Sequence, residues 1–252
     1  NPKDIPFLCF WIICTYVSIN IFTNLSKEIS IKYSQVLLIS CLTAFLLSIR
    51  ITGVLIFIQY LITLIIFLNL EKINFLNFIK STYKKIIFFI TLTIFLTYLF
   101  YPVFWKSPFL VFDAINYMSN HFNNVCTLTL GKCMFSKNLD PTYLPIWFLV
   151  KLPLIILVGL IFLPLSEKKI LVSKTNKIVF GTLLISTLIL PLILILKKSH
   201  LYDELRQVIF LIPSIFILGI ISLYFFSRKI FNFFIFFTLI IFIIENIKIY
   251  PY

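Results

Sequence analysis

The chain has 252 residues, of which 61% are hydrophobic and only 12% charged, and its mean hydropathy is +1.07. A soluble domain of this length has too little interior to bury so many apolar side chains, so the composition excludes a water-soluble globule and indicates an integral membrane protein. The formal net charge of +13 lies on residues scattered between apolar runs. This pattern fits attraction to anionic lipid and lacks the basic stripe with interleaved aromatic residues that is typical of nucleic-acid binding.

Eight apolar runs follow one another along the chain and predict an all-α, multi-pass membrane domain covering residues 1–252. They are residues 5–23, 35–49, 51–70, 86–101, 143–163, 178–196, 208–226 and 233–247. The second and third runs together are too long for one ordinary crossing. Because Arg50 and Gly53 lie near the middle of that stretch, we predict two short helices that turn at Arg50–Gly53.

The basic residues predict how these helices are oriented. Segments 24–34, 71–85, 164–177 and 227–232 hold 12 of the 22 Lys and Arg residues, and they share one side of the membrane only if the chain turns at Arg50. Cytoplasmic segments carry an excess of Lys and Arg, so we expect these four segments inside. The expected location is a bacterial inner membrane, with the long loop 102–142 on the extracytoplasmic side.

Loop 102–142 contains an amphipathic pattern and two cysteines. Four apolar residues recur there at three-residue spacing: Phe109, Phe112, Ile115 and Met118. This spacing predicts a helix lying on the membrane interface. Cys126 and Cys133 would form a disulfide in an oxidising compartment, but we favour free or packed thiols.

Three cationic side chains lie beside or within apolar runs, at Arg50, Lys151 and Arg206. A charge in such a place is costly unless it faces a polar cavity, a carboxylate or a phosphate. Arg50 has the alternative of reaching the interface with its head group, and Arg206 has the alternative of pairing with Asp203. Lys151 lies about two helical turns inside its run, so we expect it to be buried with an anionic partner.

Two further polar residues have a structural alternative to a functional role. Asp4 begins the first apolar run, where an acid is favoured by the helix N-terminus whether or not it takes part in chemistry. Asp140 precedes Pro141 and Thr142 and is read first as a helix entry. His121 has no second His nearby, which makes it a poor metal ligand.

Several segments, in their order along the chain, resemble the later part of a GT-C glycosyltransferase. They read NPKDIPFL, LLSIRITGVLIF, YPVFWKSPFLVFDAINYMSNH, DPTYLPIWFLVKLPL, LYDELRQVIFLIPSIFIL and YPY. The closest group is glycosyltransferase family 39, which includes protein O-mannosyltransferases and aminoarabinose transferases. The most specific parts are the Pro-x-Tyr-x-Pro-x-Trp pattern followed by Lys-x-Pro, and the Tyr-Asp-x-x-Arg pattern followed by Pro.

The resemblance implies a membrane enzyme that transfers a sugar from a polyprenyl-phosphate donor to an extracytoplasmic acceptor by an inverting displacement. The chain starts without Met, and the family's principal catalytic Asp would lie upstream of residue 1, so we expect a piece of a longer protein. Asp4 would be a second acid at the site. The donor phosphate would be bound by Arg50, Lys151 and Arg206. The remaining substrate contacts would come from His121, Tyr143, Tyr202 and Asp203. No cofactor is expected, the sequence gives no support for a divalent metal, and the acceptor is unspecified.

Other function classes stay open at this level. Intramembrane cations can line the path of a transporter or channel, although we find no repeated half of similar hydropathy. A polymerase or ligase of lipid-linked saccharides would share the long outer loop and the polyprenyl donor. Its outer loop would be expected to be richer in Arg, whereas loop 102–142 has three Lys and no Arg. A purely structural membrane subunit is the remaining alternative.

Overall fold

The computed structural model describes residues 2–25, 31–107, 110, 113, 125–136, 139–197, 199, 201 and 203–249. The longer helices of these ranges are α1 Asp4–Thr23, α2 Tyr33–Ile49, α3 Ile56–Glu71, α4 Phe75–Phe100, α9 Lys174–Leu196, α10 Ile212–Phe226 and α11 Arg228–Ile249. The shorter ones are α5 Pro102–Lys106, α6 Tyr143–Lys151, α7 Leu154–Ile161 and α8 Leu163–Ile170. Two 3-10 helices, Ile51–Leu55 and Arg206–Leu211, lead into α3 and α10.

Six helical stretches within the described ranges are long and apolar enough to cross a membrane. The bent pair α6 and α7 adds a seventh candidate, and α2, with 17 residues, falls just short in length. The prediction of a helical multi-pass membrane protein is confirmed. Eight crossings, and the side of the membrane on which each loop lies, stay predictions.

The chain turns back at Arg50, as predicted. Helix α2 ends at Ile49, and Arg50 has an extended backbone with φ −148° and ψ 136°. A Cβ at Gly53 would lie 3.2 Å from the carbonyl oxygen of Leu46, so glycine allows the close return of the chain. Beyond the turn, the hydroxyls of Thr43 and Tyr60 lie 2.9 Å apart and join α2 to α3.

The run 143–163 is not one continuous helix. It is broken between Lys151 and Leu154, where α6 and α7 meet at 117°. Pro153 has no N–H to continue the helical hydrogen bonds and favours an extended residue before it, and Leu152 has φ −78° and ψ 138°. The expectation of a buried Lys151 two turns inside a helix is therefore wrong, because Lys151 ends α6 and its side chain is 47% exposed.

Polar pairs and close glycine contacts join the helices of the bundle. The amide Nε2 of Gln59 donates to Thr15 at 2.9 Å, linking α3 to α1. Helices α7 and α10 cross at Gly159 and Gly219, where a Cβ on Gly159 would overlap the carbonyl of Gly219. Hydrogen bonds and close backbone packing are the interactions expected to hold helices together where lipid removes most of the hydrophobic driving force.

The end of the bundle opposite Arg50 is held by a second set of contacts. The ammonium group of Lys174 pairs with Glu71 and lies 3.5 Å from the carbonyl oxygen of Leu25. These three residues belong to three of the junctions that the charge pattern assigned to the cytoplasm. The fold therefore brings these three junctions together at one end of the bundle. That this end faces the cytoplasm stays a prediction.

Loop 102–142 contains a β-hairpin in its second half. Strand β1 Cys126–Thr129 pairs antiparallel with β2 Lys132–Phe135. Leu130 and Gly131 make the turn, both with positive φ, as a tight hairpin requires. A disulfide joins Cys126 to Cys133, so the preference for free thiols is wrong, because the hairpin brings their Cα atoms to 5.5 Å. The predicted amphipathic helix at Phe109, Phe112, Ile115 and Met118 lies outside the described residues.

Candidate functional site

One carboxylate lies between two arginines at the Arg50 end of the bundle. Oδ1 of Asp4 accepts a hydrogen bond from the guanidinium of Arg50, and Oδ2 accepts one from Nε of Arg206 at 2.9 Å. Asp4 is 8% exposed. The three residues come from the first turn of α1, the link between α2 and the following 3-10 helix, and the first position of the second 3-10 helix.

Apolar packing beneath the charges holds this arrangement in place. Phe7 lies one turn after Asp4 on α1, and its ring centroid is 5.8 Å from the guanidinium carbon of Arg50, a favourable cation–π distance. Phe210 lies one turn after Arg206 and packs edge-on against Phe7 at 5.8 Å. Both aromatic side chains are buried in the largest core cluster. The polar contacts of Asp4 therefore rest on a rigid aromatic layer.

Arg206 has a second, more exposed partner. Nη1 of Arg206 donates to Oδ2 of Asp203 at 2.7 Å. The two side chains are 33% and 49% exposed, whereas that of Asp4 is 11% exposed. The pairing of Arg206 with Asp203 that the sequence offered is thus present, but it accompanies the contact with Asp4 instead of replacing it.

Lys151 lies at the same end of the bundle and pairs with Glu204. Its ammonium nitrogen is 2.6 Å from Oε2 of Glu204 and lies 5.5 Å from the ring centroid of Trp147. The sequence patterns assigned no role to Glu204. Its position directly after Asp203, in the short polar segment between the apolar runs 178–196 and 208–226, is the signal that could have identified it.

Asp203 and Glu204 form an unusual turn. Both residues have left-handed backbones, with φ 55° and 60°, which is costly for residues other than glycine and needs support from the surroundings. The N–H of Glu204 donates to the hydroxyl of Tyr143 at 3.1 Å. This turn directs two consecutive carboxylates to two different cations, Arg206 and Lys151.

Tyr143 supports the Asp203–Glu204 turn. The residue is 1% exposed and its hydroxyl accepts the N–H of Glu204. It also lines a small pocket together with Asp140 and Leu201, and its predicted contact with the sugar stays a prediction. His121 and Tyr202 lie outside the described residues, so their predicted contacts with substrate stay predictions.

The entry to α6 is organised by Asp140, as expected. One carboxylate oxygen of Asp140 accepts from the hydroxyl and the N–H of Thr142, at 2.7 and 2.8 Å. These two hydrogen bonds favour the ionised carboxylate and lower its pKa from the usual value. This side-chain turn directly precedes α6, the helix that carries Tyr143 and Trp147.

In the ion pairs that the described residues form here, three carboxylates, Asp4, Asp203 and Glu204, face three cations, Arg50, Arg206 and Lys151. The more exposed of these pairs contribute least to stability and are the ones broken at least cost. Among the residues that the structure describes, no group of three or more His, Cys, Asp or Glu side chains is placed to hold a metal ion.

Comparisons with known proteins assign no family to the chain. No family model matches it, and neither a curated protein nor a solved structure does.

Proposed function

We propose that the chain is part of a GT-C type membrane glycosyltransferase, similar to glycosyltransferase family 39. It would transfer a sugar from a polyprenyl-phosphate donor to an acceptor on the extracytoplasmic side of a bacterial inner membrane. The observation that carries this proposal is the meeting of Asp4, Arg50 and Arg206 at one end of the bundle. All three residues belong to the segments that resemble the family.

The chemistry of the donor explains why two neighbouring guanidinium groups would be useful. As the sugar leaves, negative charge accumulates on the lipid phosphate, and preorganised charged donors stabilise it. Guanidinium groups bind phosphate oxygens with short, directional hydrogen bonds. Asp4 holds Arg50 and Arg206 next to each other before any ligand arrives, so the cost of bringing two like charges together is met during folding.

The exposed pair gives a route for phosphate to enter. An exposed ion pair such as Asp203 with Arg206 contributes about 0 to 1 kcal/mol. A phosphate can therefore replace Asp203 on Arg206 at little cost, while the more buried Asp4 stays in place. Asp203 is then released beside the phosphate, where its carboxylate can bind the acceptor hydroxyl or amine.

The test uses the protein reconstituted in vesicles with radiolabelled polyprenyl-phosphate sugars. Replacement of Arg50 or Arg206 by alanine removes a charged hydrogen bond worth about 1.5 to 3 kcal/mol, so we expect transfer to fall at least tenfold. Lys151→Ala should lower transfer less, because Lys151 is more exposed. Lys174→Ala is the matched control, since Lys174 also pairs with a carboxylate but lies at the opposite end of the bundle. Normal transfer in all three site variants would refute the assignment.

The expected orientation is tested separately by cysteine labelling in intact cells. After mild reduction, a membrane-impermeant maleimide should label Cys126 or Cys133 and should miss a cysteine introduced at Lys169. Cys9, Cys14 and Cys41 are replaced by serine beforehand, because they are free thiols. Labelling at position 169 alone would place the proposed site on the cytoplasmic side.

A further inference from the structure

The β-hairpin has two chemically different faces. Successive residues of a strand point to opposite sides. Thr129 faces the protein, since it is buried and its hydroxyl accepts the indole N–H of Trp147 at 3.3 Å. The other face carries the disulfide together with Leu128 and Phe135, which are 68% and 47% exposed.

The exposed face continues into the turn. Leu130, at the tip, is 74% exposed. Together with Leu128 and Phe135 it makes an apolar surface on a segment that belongs to none of the candidate membrane spans. Apolar side chains exposed together on a small element usually mark a surface that something covers.

Helix α6, which contacts the hairpin through Trp147, also has exposed apolar side chains. Leu149 and Val150 of α6 are both 64% exposed. Helix α6 lies at the end of the bundle that holds Asp4 and Arg50, because its Lys151 and Tyr143 contact the Asp203–Glu204 turn. The hairpin touches α6 through Thr129 and Trp147, so two elements with exposed apolar side chains lie against each other at one end of a bundle whose helices are long enough to cross the membrane.

We propose that the outward face of the hairpin, Leu128, Leu130 and Phe135, is a membrane anchor that inserts into the lipid interface beside α6. The interface suits a hairpin better than the hydrocarbon interior does. The outer edges of a two-stranded sheet have unpaired N–H and C=O groups that need water, whereas leucine and phenylalanine side chains favour the acyl boundary. The occupant of this face is lipid. The inference needs only the membrane location and does not depend on sugar transfer.

The experiment uses photo-crosslinking with the full chain in lipid nanodiscs. Benzoylphenylalanine, which reacts with nearby C–H bonds, replaces Leu128 or Leu130 in separate variants. Lys132 is the matched control, because it is exposed on the same hairpin but pairs with Thr129 and shares the opposite face. Phe237 in α11 is the lipid-facing reference, since its side chain is exposed in a candidate span. Adducts are identified by mass spectrometry.

We expect lipid adducts at positions 128 and 130 with yields comparable to that at position 237, and a yield at least an order of magnitude lower at position 132. Equal yields at 128 and 132 would overturn the face-specific anchor. Crosslinks from 128 and 130 to a second copy of the chain or to another protein, without lipid adducts, would overturn it in favour of a protein interface. If either leucine variant does not fold, Phe135 provides a third position on the same face.

Discussion

Asp4→Asn tests whether one carboxylate holds the two arginines together. Asparagine keeps the size and one acceptor of aspartate but removes the charge. Loss of one member of a buried ion pair costs about 3 to 5 kcal/mol. We expect the lower end, about 3 kcal/mol, because Arg206 keeps Asp203 as a partner and remains partly exposed.

This loss should be visible as a lower thermal midpoint in detergent micelles. At about 2 to 4 °C per kcal/mol for a chain of this size, the midpoint should fall by roughly 6 to 12 °C. Lys174→Gln gives the corresponding change at the other end of the bundle. Lys174→Gln should leave the binding of polyprenyl phosphate unchanged even if it lowers the thermal midpoint, because Lys174 lies at the opposite end of the bundle.

A double-mutant cycle isolates the contact itself. Asp4→Asn removes the carboxylate that Arg50 contacts, Arg50→Gln leaves Asp4 with Arg206 as its arginine partner, and the double variant removes the Asp4–Arg50 contact from both sides. We expect the double variant to be less destabilised than the sum of the two single variants, with a coupling of about 1 to 3 kcal/mol. Additive losses, or an Asp4→Asn midpoint equal to that of the parent, would refute the shared-carboxylate geometry.

Three further changes test the rest of the site. Asp203→Asn removes the carboxylate that competes for Arg206, so the dissociation constant for polyprenyl phosphate should fall in a vesicle binding assay; an unchanged or weaker affinity would contradict the exchange. Tyr143→Phe leaves the N–H of Glu204 without its acceptor and should destabilise the Asp203–Glu204 turn by about 1 to 3 kcal/mol. The change should appear as faster hydrogen exchange at Glu204, and unchanged exchange would show that the hydroxyl does not support the turn. The lowered pKa of Asp140 means that its contribution to the turn before α6 is present above the ordinary carboxyl pKa and is lost as the pH falls through the lower, folded value. The N–H of Thr142, which donates to Asp140, should lose protection in acid in the parent but keep it in Asp140→Asn, and equal acid sensitivity would contradict this role of the carboxylate.

Much of the helical architecture could be predicted from local patterns. Apolar runs locate most of the long helices to within about five residues, because a helix in lipid satisfies its own backbone hydrogen bonds. The exception is α4, which begins at Phe75, eleven residues before its predicted run and inside the predicted loop 71–85. The turn at Arg50 was predictable because a charged residue, a glycine and an apolar stretch too long for one crossing coincide there. The contact between Arg206 and Asp203 is also local along the chain and was among the alternatives.

Other features depend on partners that are distant in sequence. Arg206 and Asp4 are separated by 202 positions, and the sequence could say only that each needed a partner. The depth of Lys151 was misjudged because hydropathy gave more weight to the long run than to Pro153. The hairpin was missed because its alternating strand pattern is short and lies within a polar loop, and with it the disulfide between Cys126 and Cys133.

The glycine contact between α7 and α10 has a consequence for the distance between the cations. Helix α10 continues from the 3-10 helix that begins with Arg206, and α7 follows directly after Lys151. Gly159 and Gly219 fix where these two helices touch. This backbone contact therefore influences how far apart Lys151 and Arg206 lie. A methyl group added at Gly159 would push α7 and α10 apart, and we expect this to change the separation of Lys151 and Arg206.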